Sequence, residues 1–171
     1  MPRKRLIGLV LFAAAMLAGC MATPEERAAD GLAHAREAFE QEPMDTNERA
    51  DDRELYLPGG YTIEKPSDNN NVIITKGSDS FVLFINPNEA SDSKFFYDLQ
   101  KANPDQQWLV DETFEQNGRF GFTTVRMIAE DRYEVVESMG GVKMTTISEE
   151  SAIADNMDWM MKTVRSINIE E

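Results

Sequence analysis

One cysteine, Cys20, and one histidine, His34, are all that 171 residues offer of the side chains that most often carry nucleophilic, redox and zinc chemistry. A lone cysteine cannot close an intrachain disulfide, and one Cys with one His cannot build a zinc cluster. A cysteine nucleophile wants a base such as histidine, and His34 lies fourteen positions on, in a polar stretch that reads as helix rather than core. Basic residues are scarce too: 17 Lys and Arg stand against 31 Asp and Glu, a net charge of −14. Such a surface repels phosphate backbones, so no nucleic-acid partner is expected. Also missing are Gly-x-Ser-x-Gly, a glycine-rich phosphate loop ending in Lys-Ser or Lys-Thr, and His-Glu-x-x-His. With so many acids, some carboxylates must face each other by chance, so such a pair points to no reaction by itself. No catalytic residue, metal site or cofactor is expected, and the chain reads as a non-enzyme.

Long apolar runs are equally rare. The one present, from Leu6 to Leu17, follows Arg3, Lys4 and Arg5 and ends in small residues, the layout of an export signal. As a helix, twelve residues rise only about 18 Å, well short of the ~30 Å hydrocarbon core, so the run is not expected to span a membrane. Its end, Leu17-Ala18-Gly19-Cys20, resembles the lipobox of bacterial lipoproteins. That resemblance implies that residues 1–19 are a signal peptide recognised through Leu17, Ala18 and Gly19 and cut before Cys20, whose thiol carries diacylglycerol. One acyl chain holds weakly, and the two or three that the resemblance implies give lasting attachment. The protein is then exported and lipid-anchored, to the outer face of the plasma membrane or, in a two-membrane cell, to the outer membrane, since Met21 is not an aspartate. Cutting there removes three basic residues and no acid, leaving 14 Lys and Arg against 31 Asp and Glu, a net of −17.

Composition shifts near Leu55. Residues 20–54 hold eleven acids and four arginines with few large apolar side chains, the profile of a solvated acidic stalk. Within it Thr23, Pro24 and Glu26 make a capped helix start, and Ala28, Leu32, Ala35 and Phe39 form a narrow stripe along a helix over 24–41. A stalk helix is the expectation and docking on the domain the second option, with 43–54 as a flexible link. Residues 55–171 suit one α+β domain. Seven strands are expected, at Tyr61–Glu64, Asn71–Lys76, Ser80–Asn86, Trp108–Gln116, Arg119–Ala129, Arg132–Ser138 and Val142–Ser148, joined by hairpin-sized turns such as Asn117-Gly118. Short turns make the neighbours antiparallel. The unbroken apolar run Phe81–Ile85 suggests a strand covered on both faces. Two helices pack on this sheet. One carries Phe95, Phe96 and Leu99 behind a Ser91 or Ser93 cap; the other, over 151–167, carries Ile153, Met157, Met160, Val164 and Ile167 on one face.

This order, with the phrases GGYTIEKP (59–66) and MMKTVRSI (160–167), resembles the Mog1/PsbP-like group of α+β domains. The resemblance implies an accessory or binding module rather than an enzyme and transfers no site residue. The expected role is therefore a protein-interaction module working beside an envelope or membrane protein, with a cation or small-ligand binding protein as the alternative and an envelope enzyme third. Candidate surfaces for a partner or ligand are Trp108 and Trp159, which could line a groove, and Gly140-Gly141, where a ligand could approach backbone closely. Asp45 and Asn47 begin a calcium-loop pattern that fails at Ala50 and Tyr56. Looser cation sites at Asp68, Asn69, Asn70 and Asn71, or at Asn86, Asn88 and Glu89, read better as turns. Met157, Met160 and Met161, with Met127, Met139 and Met144, read as core filler before copper ligands.

Overall fold

A computed structural model of the chain describes residues 22–65 and 70–169. The described residues begin with helix α1 (Pro24–Glu40) and a small hairpin, β1 (Glu48–Ala50) and β2 (Arg53–Leu55). Three strands follow, β3 (Thr62–Ile63), β4 (Asn71–Lys76) and β5 (Asp79–Ile85), and then helix α2 (Phe95–Lys101). Strands β6 (Val110–Gln116), β7 (Arg119–Ala129), β8 (Arg132–Met139) and β9 (Val142–Ser148) lead to a 3₁₀ turn (Glu150–Ala152) and helix α3 (Ile153–Ser166).

The expected α+β architecture is present. One seven-stranded antiparallel sheet runs in the order β3-β4-β5-β9-β8-β7-β6. Its two meanders are joined where Leu83 of β5 lies opposite Met144 of β9. Helices α1 and α3 cover one face, over a core that includes Ile74, Phe81, Leu83, Val135, Met144 and Met160. The other face is covered in part by α2, through Phe96 packed with Phe120, Phe122 and Val136.

Helix α1 is built as its sequence suggests at the start. Thr23 Oγ1 accepts from the Glu26 amide at 3.2 Å, and Glu26 Oε2 accepts from the Thr23 amide at 2.9 Å. Its place differs from the stalk expectation. Ala28, Gly31, Ala35, Ala38 and Phe39 are buried, and the helix lies against α3. The small residues explain the difference, because they let two backbones approach. A Cβ on Gly31 would lie 2.6 Å from Met157 Sδ and 2.9 Å from Ala154 Cα. The acids that suggested a solvated rod occupy only the outer face.

Residues 43–54, expected as a flexible link, are likewise ordered. Asp51 takes a left-handed turn (φ 52°) between β1 and β2, and Arg49 Nε donates to its carbonyl at 2.9 Å. Asn47 accepts from the Leu57 amide at 2.8 Å and donates to the Leu57 carbonyl at 2.9 Å, fixing the strap whose Leu55 and Leu57 enter the same core as α1. Two local expectations also change. Val82 is 41% exposed, because α2 reaches Phe84 but stops short of it, so Phe81–Ile85 is covered fully on one face only. Neither serine is the N-cap of α2, which is Lys94; Ser93 Oγ instead accepts from the Phe95 amide at 3.2 Å.

Gly31→Ala should cost about 1–3 kcal/mol in a urea melt, although alanine is the better helix former, because the added methyl meets the Ala154 backbone. A solvated stalk would gain stability from the same change.

Candidate functional site

Leu17, Ala18, Gly19 and Cys20 lie outside the described residues, as do Asp68 and Asn69. The other candidates do not converge. Trp159 is buried at 5% exposure, its indole N–H donating to Asn156 Oδ1 at 3.1 Å and its ring 4.3 Å from Tyr61 and 4.7 Å from Phe81. It therefore seals the β5 side of the core and lines no open groove. Trp108 precedes β6, at the far edge of the sheet, with Lys101 Nζ 5.2 Å over its ring. Gly140 and Gly141 form the β8–β9 turn, Gly140 with φ 51°. Here a close backbone approach does occur, but the visitor is the chain's own 86–91 loop. A Cβ on Gly140 would meet the Ala90 carbonyl at 2.4 Å, and one on Gly141 the Asn86 carbonyl at 2.4 Å. The Asn86 amide donates to the Gly141 carbonyl at 2.7 Å, locking that loop down.

Asn86 and Asn88 make turn bonds, Asn86 Oδ1 accepting from the Asn88 amide at 3.1 Å. Met139, Met144, Met157, Met160 and Met161 are all buried in the main core, while Met127 is 64% exposed on β7. Among the described residues no group of three His, Cys, Asp or Glu side chains is placed to hold a metal ion.

Two polar features stand out that sequence reasoning missed. The first is Glu137, in the middle of β8, opposite Thr123 and Met144 and wholly buried beneath the helices. Thr123 Oγ1 donates to Oε1, and Oε2 has no partner. Burial pushes its carboxyl well above the ordinary glutamate range, and the threonine bond opposes this only in part. Burial thus favours its neutral form, and the group is closed off from any substrate.

The second is a cleft of about 360 Å³ at the C-terminal ends of α1 and α3. Of the eight arginines among the described residues, six form ion pairs: Arg27, Arg36, Arg49, Arg53, Arg126 and Arg132. The two that form none, Arg119 and Arg165, both line this cleft. Arg165 is 6% exposed. Its Nη2 donates to the Gln41 carbonyl at 2.9 Å and Nη1 reaches Met139 Sδ at 3.6 Å, while Nε has no partner. Burial and then the nearby Arg119 lower its pKa, with Glu42 acting in the opposite direction. One sequence signal marked this residue: Met157, Met161 and Arg165 follow one i, i+4 row, so a guanidinium continues a line of core methionines. Arg119 carried no signal beyond following the Asn117-Gly118 turn.

No family model matches the chain, and no curated protein matches it in sequence. Among solved structures it is similar to the solution structure of cyanobacterial PsbP (CyanoP) from Synechocystis sp. PCC 6803, with 12% identity over 71% of this chain and 89% of that one. The TM-score is 0.41, and no residue role passes from that protein to this one.

Glu137 sets a pH dependence with a definite sign. A native pKa above the unfolded one means that the folded state keeps a proton the unfolded chain releases, so this contribution is complete below the ordinary glutamate range and is lost as pH rises toward the raised value. Glu137→Gln is neutral in both states. Its stability relative to the wild type should rise as pH climbs above the ordinary glutamate range, by up to about 1.4 kcal/mol per pH unit, as read from urea midpoints. A difference independent of pH would mean that Glu137 titrates normally.

Proposed function

We propose that the chain is a lipid-anchored, non-catalytic accessory module of a bacterial cell envelope, attached through Cys20 and working beside a membrane or envelope protein. One observation carries the reading: three basic residues, a twelve-residue apolar run and Leu17-Ala18-Gly19-Cys20, in that order and at that spacing. The placement of the reactive side chains supports the non-catalytic part. His34 is exposed on α1, and the one strongly perturbed carboxyl among the described residues, Glu137, is closed inside the core. The partly covered face of the sheet, where Val82 and Ile147 are 41% and 45% exposed, supports a role in contact with another protein. A small-ligand role for the same anchored module is favoured by a single observation, the two arginines without ion pairs in one cleft.

The test begins with the anchor. Wild-type protein should partition into detergent, with an N-terminal peptide whose mass includes diacylglycerol on Cys20, and Cys20→Ala should leave the detergent phase. Wild-type protein found aqueous and unmodified would remove the basis of the proposal. Cross-linking in intact cells addresses the partner. A reproducible neighbour lost with Cys20→Ala supports the module, and nothing captured above background shifts the weight to a ligand.

A further inference from the structure

We infer that the cleft between the ends of α1 and α3 is a binding site for a small organic carboxylate, held between Arg165 and Arg119. This goes beyond the accessory role and does not depend on the lipid anchor.

These two arginines stand apart by what they lack. The chain is strongly acidic, and its other described arginines each have a carboxylate within 4.0 Å. In such surroundings, two guanidinium groups that share a cleft without an ion pair are unusual. Arg165 is the stronger case, because it is nine-tenths buried and a buried charge needs a counter-charge or a full set of acceptors. It has one good acceptor, the Gln41 carbonyl, and a sulfur contact, and its Nε has nothing. Arg119 adds a second positive charge where a compensating negative one would be expected. An anion seated between them would give the Arg165 guanidinium a counter-charge and relieve the repulsion between the two cations.

The shape and charge of the site choose among anions. A planar carboxylate matches the guanidinium fork. The volume of about 360 Å³ admits a small molecule and not a folded segment of another protein. The net charge of −14 opposes approach of polyanions in proportion to their own charge, so nucleic acids and highly charged acidic chains are disfavoured. Pro43, Met139 and Ile167 line part of the wall, leaving room for a short carbon skeleton beside the carboxylate.

The test is a titration of the full chain with succinate and with acetate at constant ionic strength, following the ¹H–¹⁵N signal of Arg165 Nε. Chloride and inorganic phosphate serve as comparison anions. The expected result is a saturable downfield shift with succinate that chloride does not reproduce, weakened about tenfold or more in Arg119→Gln. Arg119 makes no ion pair, so that variant should melt at the wild-type temperature or slightly above it, the like charge having been removed. Arg165→Lys keeps the charge but removes both the fork and the reporter, so it is read through Arg119 Nε, whose saturable shift with succinate should be lost; if it does not fold, Arg119→Gln still decides. No saturable shift, an equal shift in Arg119→Gln, or equal binding of phosphate would each overturn the assignment.

Discussion

The absence of a side chain at Gly31 is the constraint on which much of this molecule depends. Because α1 and α3 meet there at backbone distance, α1 lies in the core rather than beside it. That approach sets the far end of the helix. Phe39 settles 5.3 Å from Phe114, with Arg165 over its ring at 5.7 Å, and the chain leaves the helix so that the Gln41 carbonyl meets Arg165. Moving α1 outward by the width of a methyl group would shift both the aromatic contact and the one good acceptor of the most buried arginine. The small-residue stripe is therefore also what shapes the cleft.

Two ionisable groups in the same half of the fold answer burial in opposite ways. Glu137, surrounded by methionine, valine and threonine, is tilted by burial toward its neutral form, because a carboxyl can answer desolvation by holding a proton more tightly. Arg165 cannot do the same, since guanidinium stays protonated through the physiological range even when burial lowers its pKa. The cost of burial then appears as unmet hydrogen-bonding capacity in one case and unmet charge in the other. Only the second opens onto a cleft, which is why it points toward a ligand while Glu137 points only toward stability.

The sheet was legible in the sequence because its signals are local. Asn117-Gly118 and Gly140-Gly141 mark turns, and β4, β7 and β9 begin and end where alternation and turn residues place them. The α3 stripe was legible for the same reason, as Ile153, Met157, Met160 and Val164 recur at helical spacing and are all buried. What escaped was non-local. Whether a narrow alanine-rich stripe is buried depends on the helix that meets it, and the pairing of Leu83 with Met144 depends on chain closure across sixty residues. Short β1 and β2 were hidden by their acids, since Asp51, Asp52 and Glu54 look like solvated linker until Asn47 is seen holding Leu57. The arginine cleft was the least legible, because its meaning lies in partners that are missing in space.

The packing of α1 also bears on how far the folded body could stand from a membrane. Thr23 already caps the helix, so a lipid carried on Cys20 would leave three residues of tether, a reach of about 11 Å at full extension. That is close to the Debye length of about 8 Å at physiological salt, so Glu25 and Glu26 in the first turn would feel anionic headgroups directly and press that end of the helix away from the bilayer. Seventeen helical residues rise about 25 Å, which separates the Thr23 end of α1 from the arginines at its other end. With a lipid on Cys20, that short tether and the length of α1 would together set the cleft on the aqueous side rather than against the lipid.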